Sequence, residues 1–209
     1  MSAKGMRSLL AALCDEAGRS IQRPAEPRVV MEEFCRAMSV LVDRPICLVF
    51  RSFPPDVPVS GMRLGLADKS VIVVDDDAVP EAQGVILGHE LWHEWQHHQG
   101  HGGCGSHGAG LPVAARALRD DDGQDAVQRA MQLILDDEDV PLDAHAVMAV
   151  AARSESGDDH EIEAETFGLR FGVQARTFMT GRYAQSPVSP ATVEGRLHLS
   201  MLNRGGHIL

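Results

Sequence analysis

His89-Glu90-Leu91-Trp92-His93 is the segment of this chain best suited to chemistry. On a helix, residues four apart lie about 40° from each other around the axis, so both imidazoles project from one face and can share a metal ion. Glu90 stands beside them, placed to hold a water and take its proton. A zinc ion held by such a pair lowers the pKa of a water toward about 7 and polarises a carbonyl, leaving the carboxylate to pass the proton to a leaving amine. Hydrolysis of an amide is the reaction this spacing suits.

A catalytic zinc keeps three protein ligands and an open position, so a third donor is needed. His97, His98, His101, Cys104 and His107 follow closely in a Gly/His-rich run. His97, however, lies two helical turns from His89 and is poorly placed to close on the same ion. The metzincin arrangement needs glycine at position 96 and histidine at position 99, and Gln96 and Gln99 exclude it. The better source is Glu161-Ile-Glu-Ala-Glu-Thr-Phe167, where Glu161 and Glu165 lie four apart on one helical face. One carboxylate can ligate while the other orients a histidine. Taken alone, these glutamates equally suit the N-terminal end of a helix dipole. Their pairing with the two histidines singles them out.

The elements that must position these groups read as follows. Residues 6–22 and 29–43 are expected helices, the second with Val30, Phe34, Met38 and Leu41 at helical spacing. Ile46 to Phe50 is an expected strand, and Met62–Leu66 and Val71–Val74 an expected antiparallel hairpin. Pro80 and Glu81 open a helix that runs to about His98 and is stopped by Gly100, Gly102 and Gly103. Its other face carries Gly84, Gly88, Leu91, Trp92 and Trp95, small or apolar residues that can pack inward and hold the histidines still. The strand before it offers an edge for an extended peptide, with an open groove expected along Val71 to Val74. Residues 100–158 read as an acidic helical insertion, with helices near 112–119, 124–136 and 142–153. A further helix is expected from Glu161 to about Met179, and a last one over 190–203. The fold class is thus α+β, mostly helical, with a small antiparallel sheet before the HExxH helix. The 209 residues form one domain in this reading.

HELWH after a strand, with E-I-E-A-E-T-F later, resembles the ImmA/IrrE family of zinc metallopeptidases, whose pattern is HExxH followed by E-x-x-A-(N/D/E)-x-F-A. The resemblance spans about residues 60–175. It implies that Glu161 is the third zinc ligand, with Ala164, Glu165 and Phe167 on the following motif positions. Trp92 stands where the family has a small residue and Gly168 where it has alanine. Between His93 and Glu161 lie 67 residues, more than twice the separation expected of the family. The resemblance further implies a cytoplasmic endopeptidase that cleaves a helix-turn-helix repressor or antirepressor, or a toxin component of a two-gene system.

Charge bears on the partner. Residues 1–70 carry ten Lys/Arg against eight Asp/Glu, residues 71–165 four against twenty-one, and residues 166–209 five against one. The net charge of −11 therefore sits in the middle of the chain. Nucleic-acid binding depends on basic residues neutralising phosphates, so such a segment argues against DNA or RNA as direct ligand. It suits a basic protein substrate, such as a DNA-binding regulator, by attraction during encounter. No apolar run is long enough to span a membrane. Four cysteines without a CxxC pair point to a reducing cytoplasm and to small core side chains rather than nucleophiles. Tyr183, His160, His145 and Arg170 are the candidates to stabilise an oxyanion. Two other functions compete with the peptidase. One is a binding module or toxin-system component that keeps a closed metal site and does not cut. The other is a hydrolase of a small molecule or modified peptide.

Overall fold

The computed structural model describes residues 3–53, 59–66, 68–100 and 158–180. The chain forms α1 (Ala3–Ala17), α2 (Pro27–Val42), β1 (Ile46–Arg51), β2 (Gly61–Gly65), β3 (Ser70–Asp75), α3 (Pro80–His98) and α4 (Asp158–Ala175), with a 3-10 turn at Arg176–Phe178. It is an α+β fold, mostly helical, with one small sheet. The expected helices at 112–119, 124–136, 142–153 and 190–203 lie outside the described residues.

Helical spacing puts Met6, Leu9, Leu13 and Ala17 on one buried stripe of α1. Helix α2 begins at Pro27, whose fixed φ suits a first helical position. It ends at Asp43 in the left-handed region, φ 50°, whose N–H donates to the Ser39 carbonyl. Its buried face meets α4 and the 3-10 turn through Phe34, edge-on to Phe171 at 4.8 Å and to Phe178 at 5.1 Å.

The strand order is β1-β3-β2. Strands β2 and β3 pair antiparallel, as their hairpin spacing suggests, with Arg63 opposite Ile72. Strand β1 joins the other side of β3 in parallel, with Leu48 opposite Ile72, so the sheet is mixed rather than antiparallel throughout. This makes β3 the central strand, and its Val71-Ile-Val-Val74 run is buried along both faces. The groove expected along Val71 to Val74 is corrected here: both flanks of β3 are hydrogen-bonded, and β2 is the edge strand next to α3. Ile72 and Val74 face the helices, joining Leu87, Leu91 and Trp92 in the main core. No helix among the described residues is long and apolar enough to cross a membrane.

Candidate metal centre

Helix α3 starts as its sequence indicates, with Pro80 in the first turn and Glu81 close behind. It carries His89 and His93 to one face, where their Nε2 atoms lie 3.0 Å apart. Glu161, on the first turns of α4, completes the group. Its Oε2 is 3.5 Å from His89 Nε2 and its Oε1 is 3.5 Å from His93 Nε2. Two donors each about 2.1 Å from a tetrahedral zinc stand about 3.4 Å apart, and one donor atom from each of the three residues can be chosen so that all lie within 4.8 Å of one another, close enough to share one ion. The donor set of two imidazoles and one carboxylate also matches an open three-ligand site. A His-His-Glu group that could hold a metal ion is therefore present, and among the described residues it is the one such cluster. The imidazoles are 12% and the carboxylate 16% exposed, so the centre is largely dry yet reachable.

Close packing of α3 against α4 brings Glu161 there. The two helices run antiparallel, with Gln96 donating to Glu163 at 3.1 Å near one end and Gly88 under Phe171 further along. Gly168 lies two turns after Glu161 on the same side of α4. A Cβ at Gly168 would sit 2.7 Å from the Val85 carbonyl oxygen and 3.1 Å from the His89 nitrogen. Backbone cannot yield there, so glycine at position 168 allows a close crossing directly beside the first histidine. Trp92 is fully buried with its ring 5.0 Å from that of Phe167. Ala164, Phe167 and Phe171 complete the apolar face of α4.

The β2 side of α3 is different in kind. Glu90 is 1% exposed, and its Oε1 lies 3.2 Å from where a Cβ at Gly61 would stand. One turn on, Glu94 pairs with Arg63 Nε, both side chains being 2% exposed. A charged residue flanked by Met62 and Leu64 in a short strand, with glycines two positions away on either side, is the signal in the sequence for this buried pair. Motif spacing gives no sign of it, since the two residues belong to different elements.

Electrostatics ties the two sides together. Burial opposes charge on His93, yet its bond to Glu161 and the charges of Glu90 and Glu161 outweigh that, holding the imidazole above its ordinary pKa. His97 goes the other way, pushed down by burial and by the charge of Arg63. His97 is not part of the donor group. Burial also pushes the Cys14 thiol up to about 12 and raises that of Cys35, as befits inert core side chains.

The remaining candidates are less central. Glu165 is half-buried one turn beyond Glu161, and Arg170 is half-buried further along α4. His160 is exposed at the start of α4. Tyr183 and His145, like His101, Cys104 and His107, lie outside the described residues. No family model, curated protein or solved structure matches the chain.

Proposed function

We propose that this protein is a zinc-dependent endopeptidase of the ImmA/IrrE kind, acting on a basic DNA-binding regulator of the helix-turn-helix type. The observation that carries the reading is the meeting of His89 and His93 with Glu161, from two helices and across 67 intervening residues, at ligand-like distances. Coincidence explains an HExxH string more easily than it explains this convergence. Two neutral nitrogens and one carboxylate oxygen favour zinc among the common ions. When bound, zinc supplies Lewis-acid polarisation of a carbonyl and makes water more acidic at neutral pH.

The chain's own residues do the rest. Glu90 takes a proton from the attacking water at its carboxylate and delivers it to the leaving amine. Its burial against β2 limits competing solvent, and Gly61, where a Cβ would collide with Ile86 Cγ2, lets β2 pack closely beside it. Glu165 positions the ligand set from one turn further along α4. The place for an extended peptide beside β2, the edge strand next to α3, supports a peptide substrate over a small molecule.

The test is incubation of the zinc-loaded chain with basic helix-turn-helix regulators. Glu90→Gln should retain the metal and lose cleavage by at least about a hundredfold, the usual scale for removing a general base. Full activity in that variant would refute Glu90 as the base.

A further inference from the structure

Arg63 sits in an unusual state for a buried arginine. Its Nε is held by Glu94 and the side chain is 2% exposed, so the guanidinium has one fixed orientation. Among the described residues Nη1 and Nη2 have no hydrogen bond or ion pair. They point past Gly65, lying 3.9 and 3.7 Å from where a Cβ would stand, so the absent side chain leaves room beside them. Both nitrogens keep N–H donors that an acceptor entering that space can take.

Position says what the occupant is near. Gly61 abuts Glu90, and Arg63 pairs with Glu94. Two strand residues advance about 6.6 Å and four helical residues about 6 Å, so β2 and α3 run side by side in step. Arg63 itself therefore lies about one helical turn along from Glu90, with its unused nitrogens turned toward Gly65 on the far side. Two in-plane N–H groups on one guanidinium suit an acyl oxygen, and suit a carboxylate best of all.

We propose that Arg63 anchors the ligand of this centre by donating from Nη1 and Nη2 to an acyl oxygen of a molecule bound beside β2, an inference that rests on the metal-centre reading above. Glu94 neutralises and orients the guanidinium before the ligand arrives. The acyl oxygen comes from a carboxylate, terminal or side-chain, or from a main-chain carbonyl.

The experiment titrates the zinc-loaded full chain with diacids from malonate to adipate, the ω-amide acids of the same lengths, and the matching monoacids. Each probe offers one carboxylate to the metal and differs at the far end. At least one length should favour the diacid over its monoacid by about tenfold, or about 1.4 kcal/mol. A gain for the diacid alone assigns a carboxylate, and an equal gain for the ω-amide acid assigns a carbonyl. In Arg63→Met with Glu94→Met, which removes both charges, the gain should fall below about twofold while zinc is retained. If that pair of changes prevents folding, Arg63→Lys serves in its place, keeping the charge and losing the paired donors. Equal affinities at every length in the unaltered chain, or a gain that survives these variants, would overturn the proposal. A chain that takes up no zinc would instead overturn the metal-centre reading.

Discussion

Toward α4, helix α3 presents Gly88, Trp92 and the Val85 carbonyl to glycine and aromatic rings; toward β2, it presents Glu90 and Glu94 to Gly61 and a buried arginine. The first contact is one of shape. Away from the His89, His93 and Glu161 group, its tolerance is set by atoms that meet at less than 3 Å once a methyl is added. The second is one of charge. The two sides therefore contribute differently, since shape brings the third donor to the histidines, whereas charge sets the strand that runs beside Glu90.

The charged side is the more sensitive to a single replacement. Arg63→Met leaves Glu94 buried without its partner and should cost about 3–5 kcal/mol, read by denaturant unfolding. Replacing both partners by methionine should recover most of that, with zinc affinity changed no more than a few-fold. If the double replacement is as damaging as the single one, the pair does not act as a charge unit.

On the shape side the expected loss is slightly smaller but falls on the metal. Gly168→Leu must push α4 away from the Val85 carbonyl, costing about 1–3 kcal/mol of stability. Zinc affinity should fall with it by tenfold or more, because Glu161 moves with the helix. A stable variant with unchanged zinc affinity would show that the close crossing does not place Glu161.

A pH series separates the metal-free and metal-bound contributions. In the metal-free chain His93 is held above its ordinary pKa, so the His93–Glu161 contribution to stability is full below the unfolded imidazole value, about 6.5. It is lost as pH rises through the raised folded value. Zinc needs the neutral imidazole, so the stabilisation it confers runs in the opposite sense and weakens as pH falls. Melting curves with chelator and with zinc should therefore converge at low pH and separate at high pH. Parallel curves would contradict the sign. At the small end, His160→Ala changes an exposed side chain and should alter stability by less than about 0.5 kcal/mol, with zinc affinity unchanged.

The two sides of α3 are not equally legible in the sequence. Spacing four apart is enough to put His89 and His93 together, and the same rule places Glu161 on a helix. Which helix meets which depends on contacts between residues far apart in sequence, and there the pairing of motifs serves where periodicity cannot. Gly168 reads as a departure from a pattern until the Val85 carbonyl beneath it gives a reason. The parallel pairing of β1 with β3 has no local signal, because strand spacing favours the adjacent hairpin and is silent on what joins its other edge. The Arg63–Glu94 pair is hidden for a similar reason: an arginine in a five-residue strand reads as solvent-facing until α3 is laid across it. Of the oxyanion candidates, His160 is exposed and Tyr183 is outside the described residues, while Arg63 is not among them.

The metal centre is tested most directly by the zinc content of the purified chain, measured beside Glu161→Ala and His97→Ala. One zinc per chain is expected, retained in His97→Ala and lost or weakened at least about a hundredfold in Glu161→Ala, on the scale of removing one ligand. A chain without zinc, or equal zinc content and affinity in all three proteins, would contradict the assignment of His89, His93 and Glu161 as the ligands.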